Sequence, residues 1–217
     1  MTGQLSTRTR LCAAAVLLAT GSLVAAGTPL LPVDEASRRP DFFSFRAGLQ
    51  SAIARHDSAA VLAVVHRDIK NSFGGNDGID EFRSVWKIEA PNSEIWATLG
   101  TVLALGGSFS DADTFVAPYV FSRWPQQIDG FEHVAVIGSD VRVRSKPSVD
   151  ARVVSTASFE ILAVAQGADT DDWTPVRLNR ARTGYVASKY VRRPSDYRAI
   201  FRFENRAWRL VTFVAGD

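Results

Sequence analysis

Three histidines, one cysteine and scattered carboxylates are the side chains with which this chain could do acid-base, nucleophilic or metal chemistry. The cysteine, Cys12, stands at the head of an apolar run near the N terminus, two residues after Arg10. A zinc hydrolase needs about three His or carboxylate ligands around an open position. His56, His66 and His133 stand apart, with no H-E-x-x-H and no paired spacing, so no metal site is expected. "GGSFS" at 106–110 does not meet the G-x-S-x-G pattern of a serine hydrolase. His66 and Asp68 in "VVHRDIK" have the types of a general base and its orienting acid. They fall at the end of a predicted helix, where a histidine interacting with the C-terminal dipole is the plainer role. Asp169, Asp171 and Asp172 in "GADTDD" lack the Gly and the distant Glu of a calcium loop and read as a solvated acidic turn. "SFGGNDGIDEF" is a Gly-rich loop opening a helix, a shape that can cradle an anion. Without a clear preceding strand or a P-loop lysine it reads as a structural turn. No catalytic residue, metal ligand or cofactor is expected, and the chain does not read as an enzyme.

The elements that carry these residues begin after a leader. Arg8 and Arg10 precede an apolar run from Leu11 to Ala26 that closes in small residues, the layout of a secretory signal peptide cut near Ala26. A retained anchor is the competing reading, although the run falls short of the roughly 20 residues a helix needs to cross a bilayer. Cleavage would remove Cys12, so disulfides would contribute nothing to the mature chain. It would also leave 23 basic against 23 acidic side chains, a balance that gives nucleic acid no clustered basic surface. The expected location is exported, periplasmic or extracellular. With 46% apolar and 22% charged residues, the remainder is expected to bury a core.

After a Pro-rich linker (27–40), residues 41–137 read as mainly helical. Phe42, Phe45, Leu49, Ala52 and Ile53 recur at three- and four-residue steps. Asp57 caps a second helix burying Val61, Val64 and Val65. Ile79, Phe82, Val85 and Trp86 form a third, and 93–105 a fourth, with Ser93 as cap and Gly106 as stop. From Thr114 short β-favouring runs take over. In "DVRVRS", Val141 and Val143 alternate with Arg142 and Arg144, a strand with one buried face. In "RTGYVASKYVRR", a small-residue corner separates two valines, with Gly184 permitting close approach or positive φ. The tail 194–217 reads as a hairpin turning at Glu204, Asn205 and Arg206. Ala199, Phe201 and Phe203 alternate with Arg198, Ile200 and Arg202 and want cover, so the hairpin is expected to return to the front region, with 138–193 as an insertion.

Residues 140–193 resemble a bacterial SH3-like (SH3b) domain. The residues that carry the likeness are Val141, Arg142, Val143, Arg144, Pro147, Ser148, Trp173, Val176, Gly184, Tyr185, Val186, Tyr190 and Val191. Arg142 replaces the usual Asn, and an acidic loop precedes Trp173 in place of a Gly-rich one. The resemblance implies a small SH3-like β-barrel over 138–193, which with the helical front and the C-terminal β-hairpin read above makes an α+β protein. It also implies a peptide groove flanked by Trp173 and Tyr190, with Tyr185 and Arg144 nearby. Trp173 and Tyr190 suit binding and bracing equally, and Tyr185 suits bracing better. Residues 40–217 as a whole resemble bacterial exported proteins of this layout, a likeness that carries no activity with it. Two helices and a Gly-rich loop also resemble the front of the NTF2-like cone fold, whose pocket would be lined by Phe45, Phe73 and Trp86. The fourth helix stands where that fold would have strands, and an ordinary packed core is the preferred reading.

The function expected is that of an exported, non-enzymatic cell-envelope protein binding a peptide-like target, peptidoglycan stem peptide or a partner protein. The competing class is a small-ligand binder or enzyme with a pocket in 40–137, and a third is purely structural packing.

Overall fold

The computed structural model describes residues 27–167, 170–179 and 181–216. The leader-like residues 1–26, with Cys12, and Asp169 of the acidic turn lie outside the described residues. The chain begins with a two-residue strand, β1 (Thr28–Pro29), and enters α1 (Pro40–Ala54) with Pro40 at its first position, where a missing N–H costs nothing. Phe42, Leu49, Ala52 and Ile53 face inward, as does Arg46. Asp57 caps α2 (Ser58–Val64), its Oδ1 accepting the Ala60 N–H at 2.9 Å. That helix ends at Val64, earlier than the sequence suggests, and Val65 opens a strand, β2 (Val65–Lys70). The β-branched pair Val64–Val65 tolerates either conformation, and a parallel partner far along the chain decides the matter. His66 and Asp68 therefore lie on a strand and not at a helix C terminus.

α3 (Ile79–Trp86) follows Gly78, whose φ of 97° suits glycine. α4 (Ile95–Ala104) starts where Ser93 Oγ accepts the Ile95 N–H at 3.3 Å, and Gly106 at φ 66° follows its end. Then come β3 (Ser108–Asp111), β4 (Thr114–Ala117) and the single turn α5 (Tyr119–Ser122). The remaining elements are strands: β5 (His133–Val136), β6 (Val141–Arg144), β7 (Val153–Ala157), β8 (Glu160–Ala163), β9 (Trp173–Asn179), β10 (Arg182–Ala187), β11 (Val191–Arg192), β12 (Arg198–Glu204) and β13 (Ala207–Val214).

A five-stranded sheet in the order β2-β13-β12-β4-β3 combines front-half strands with the C-terminal hairpin. β12 runs antiparallel to β4, and β13 parallel to β2. The hairpin turns through Asn205 (φ 50°) and Arg206 (φ 65°), both left-handed, as a two-residue loop between right-twisted strands requires. The helices cover this sheet with one apolar core, in which Phe42 packs at ring-centroid distances of 4.3 Å from Phe115, 4.7 Å from Trp208 and 5.7 Å from Phe201. The chain is an α+β protein in which helices lead and sheets follow.

Among the described residues of 138–193 the expected closed barrel is not formed. Its strands fall into two four-stranded sheets, β7-β6-β10-β9 and β1-β8-β5-β11. A single isolated bridge, Val164 with Val176, joins β9 to the chain just after β8. The second sheet draws β5 from before residue 138 and β1 from the N-terminal segment. The boundary at 137/138 therefore cuts through a sheet, and the front region holds β2, β3, β4 and β5 beside its helices. Val134, Val143, Val176 and Val186 are fully buried between the two sheets. A third cluster of Leu30, Tyr119, Val120, Ala135 and Ile161 fastens this small β unit to α5 and the N-terminal segment.

Candidate functional site

Each histidine is engaged on its own. His66 Nε2 lies 3.1 Å from Glu204 Oε1 at the hairpin end, and its Nδ1 accepts the Asp68 backbone N–H at 3.1 Å. The Asp68 carboxylate turns outward to Arg67, so the pair is not a base with its orienting acid. His56 stacks on Trp96, ring centroids 5.0 Å apart and planes 4° from parallel. His133 Nδ1 lies 2.9 Å from the Asp129 carbonyl. Among the described residues no group of His, Cys, Asp and Glu is placed to hold a metal ion. The Gly-rich loop satisfies itself. Asp77 Oδ1 accepts the Asn71 and Ser72 N–H groups, and Ser72 Oγ those of Gly74 and Asn76.

Phe45, Phe73 and Trp86 do not converge on a pocket. Phe45 packs on Phe42 and Phe201, and Trp86 on Tyr197 and Phe213. Phe73 lies half exposed near Lys70 and the Arg198 guanidinium. Within 40–137 there is a shallow cleft of about 380 Å³ beside His56 and Trp96, otherwise lined largely by small or apolar side chains such as Ala54 and Pro91.

Three of the four residues singled out in the sequence meet in one groove. Trp173 opens β9 and pairs with Ala187 at the end of β10. The chain then makes one tight turn, Ser188–Tyr190, that swings Lys189 and Tyr190 alongside. Three contacts fix this corner. The Ser188 N–H donates to the Asp172 carbonyl at 2.8 Å, Thr174 and Ser188 hydroxyls meet at 3.1 Å, and the Ile137 N–H donates to the Tyr190 carbonyl at 2.9 Å. β6 forms the opposite wall: Val141 and Val143 point into the core, leaving Arg142 and Arg144 outside. Arg144 Nη1 donates to the Ala151 carbonyl at 2.7 Å and so holds the loop that presents Val149. The cavity measures about 330 Å³ and is lined by Trp173, Tyr190, Arg142, Arg144, Lys189, Asp140 and Val149, among others. Val149 and Tyr190 are 70% and 42% exposed, and Lys189 Nζ sits 5.0 Å from the Tyr190 ring centroid.

Tyr185 does not join them. Although registered opposite Arg144, it is half-buried with its hydroxyl against Gly167. Lys189, Asp140 and Val149 were not singled out from the sequence, and Arg142 was named there as a solvated strand residue and not as part of the groove. The signal for Arg142 was its alternation with buried valines, and for Lys189 its place in the turn before Tyr190. A larger cavity, about 600 Å³, lies between β11 and the approach to the hairpin, with Thr170, Thr174, Ser188, Arg192, Arg193, Asp196 and Tyr197 in its wall. It is assembled from segments far apart in sequence. Arg192 is already tied to Asp196 at 3.5 Å, whose carboxylate also accepts the Arg193 N–H at 2.9 Å.

No family model matches the chain, and no curated protein matches it. Among solved structures it is similar to an NTF2-like protein of unknown function from Shewanella oneidensis MR-1, at 11% identity and TM-score 0.34, covering 83% of this chain and 99% of that one. It is also similar to a protein of unknown function with a cystatin-like fold from Nostoc punctiforme PCC 73102, at 13% identity and TM-score 0.29, covering 84% and 92%. The SH3b resemblance is accordingly corrected. No family model recognises residues 140–193, and the strands of this segment divide between two four-stranded sheets.

Proposed function

We propose that this chain is an exported, non-catalytic binding protein of the cell envelope, and that the Trp173–Tyr190 groove takes a peptide-like ligand bearing a carboxylate, peptidoglycan stem peptide foremost. The observation that supports this is the composition of a single groove: two aromatic side chains and Val149 beside three cations, with Asp140 as the one acidic group in its described wall. Aromatic faces bury peptide area at low conformational cost, and guanidinium groups bind carboxylates in paired hydrogen bonds. The leader-like N terminus supports export. The alternative, a small ligand bound within 40–137, has the shallow His56 cleft as its place, which brings no opposed charges together.

The test is co-sedimentation of the protein with purified peptidoglycan sacculi, beside a Trp173→Ala/Tyr190→Ala double variant and an Arg142→Glu variant, each checked for folding by its urea midpoint. Saturable binding that weakens tenfold or more in both variants is the expected result. Equal binding by the variants would remove the groove from the function. Absence of binding by the wild type would remove peptidoglycan and direct the search to acidic segments of envelope proteins.

A further inference from the structure

Gly27, the first described residue, holds an unusual position. Its backbone N lies 2.6 Å from Glu160 Oε2, across 133 residues of sequence. The other oxygen of that carboxylate, Oε1, accepts the Ser158 N–H at 3.2 Å, so the group is held with Oε2 aimed at the Gly27 nitrogen. A side chain at this position has no room: a Cβ on Gly27 would meet the Ile161 carbonyl oxygen at 2.5 Å, Glu160 Oε2 at 2.8 Å and Leu162 Cδ2 at 3.1 Å. The placement is fixed from the next residues onward. Thr28 and Pro29 pair with Ile161 and Glu160, the Leu30 N–H donates to the Phe159 carbonyl at 2.8 Å, and the Leu30 side chain is buried.

The residues before it are Val24, Ala25 and Ala26, the small-residue end of the leader-like segment. We propose that the chain is cut at the Ala26–Gly27 bond and that the new α-ammonium group of Gly27 docks on the Glu160 carboxylate as the first residue of the mature protein. The inference rests on the export half of the proposed function. Hydrolysis by the host's leader peptidase adds one water: Ala26 departs with a carboxylate, and the Gly27 nitrogen gains its protons and a positive charge. An N–H···O bond thereby becomes a charge-assisted one, the stronger kind. Only glycine fits the space, so the residue that follows the cut is also the one the docking site admits. The mature terminus then acts as a strap, closing the edge of β8 that would otherwise present unpaired backbone groups.

The experiment expresses the full chain with its own leader in a bacterium and determines the intact mass and N-terminal sequence of the purified product. Gly27 is the expected first residue. On that product, prepared with 13C-glycine, the Gly27 resonance is followed against pH. The α-amine should titrate above its ordinary range of about 7.7–8.0, because a neighbouring carboxylate favours the charged form. Glu160→Gln should return it to that range. Should that variant fold poorly, Glu160→Asp, which withdraws the carboxylate by one methylene, should return it part of the way. A product beginning elsewhere in the chain overturns the proposal while leaving export standing. A product that retains residues 1–26 overturns the cut, and it overturns export as well when it fractionates with the cytoplasm and not with the membrane. A Gly27 terminus whose amine titrates in the ordinary range overturns the docking.

Discussion

Arg46 and Asp34 form a two-pronged ion pair, Nη1 to Oδ1 and Nη2 to Oδ2, both at 2.7 Å. Arg46 is a buried residue on the inward face of α1, whereas Asp34 belongs to the segment running from β1 into the helical region and keeps nearly half its surface in water. Charged hydrogen bonds of this geometry are worth more than ordinary ones, and the buried partner bears most of the loss when they are cut. Arg46→Ala is expected to cost about 2–3 kcal/mol, read as a lower urea midpoint. Asp34→Asn should cost less, because the guanidinium keeps one acceptor.

Asp41 carries a pH dependence. Two hydrogen bonds from Arg39, at 3.0 and 2.8 Å, are the largest cause that holds its carboxyl well below the usual range, and the Trp208 indole N–H at 3.0 Å adds to it. A group with a depressed folded pKa stabilises the fold above its unfolded value, about 3.9, and loses that contribution as pH falls towards the folded value. Asp41 is 44% exposed, so screening limits the effect to no more than about 1 kcal/mol. Wild type and Asp41→Asn should differ most near neutral pH and draw together below about pH 4. A gap that stayed constant from pH 7 to pH 2 would show that Asp41 acts only through packing.

Tyr119 gives the opposite sign at the alkaline end. Its side chain is fully buried in the cluster that fastens the small β unit, its hydroxyl has no hydrogen-bond partner among the described residues, and burial pushes its pKa up to about 12. The unfolded chain ionises this tyrosine near pH 10 and the folded chain does not, so stability falls between about pH 10 and about pH 12. Tyr119→Phe removes an unpaired polar atom and should stabilise the protein by up to about 1 kcal/mol at neutral pH. It should also flatten the alkaline fall. Urea midpoints of both proteins at pH 8 and pH 11 test both halves.

What the sequence made legible was whatever a local pattern decides. α1 and α3 follow apolar spacing, and along β12 the expected cover is met at Ala199 and Phe201, which are fully buried, whereas Phe203 is half-buried and Arg198, expected on the other face, is buried as well. Where a distant partner decides, the pattern misled. Val64 and Val65 continue an apolar helix face equally well as they open β2, and the pairing with β13, Leu210 opposite Val65 and Thr212 opposite Lys70, settles it. The SH3b reading failed for the same reason. "VRVR" and "GYVASKYV" correctly mark a strand and a strand–turn–strand, but no local motif says which strands close on which. Thr28 and Pro29 enter a sheet whose other members lie more than 100 residues away. For the groove, Trp173, Tyr190 and Arg144 were visible as residue types suited to binding. Lys189 and Arg142 became partners only through the pairing of β10 with β6 and the turn that follows.

That pairing depends on Gly184, and two glycine substitutions separate its role from general backbone effects. A Cβ at Gly184 would lie 2.6 Å from Val143 Cγ1, 3.0 Å from the Arg144 carbonyl oxygen and 3.3 Å from Val154 Cγ2. Close approach and not left-handed backbone is the reason for glycine here, since Gly184 is not among the positive-φ residues. The obstructing atoms belong to β6 and β7, so an added methyl group must push β10 away from its neighbours. Overpacking of this kind costs about 1–3 kcal/mol. Gly48, on the exposed side of α1, has nothing within 4 Å of the same position, and there alanine should raise stability by up to about 1 kcal/mol through helix propensity. The two variants should therefore shift the urea midpoint in opposite directions. Because Arg144 sits on β6 and Lys189 in the turn after β10, only Gly184→Ala should also weaken ligand binding in the groove. A Gly184→Ala protein with unchanged stability would mean that β10 and β6 can separate freely, and the groove they wall would then have no fixed width.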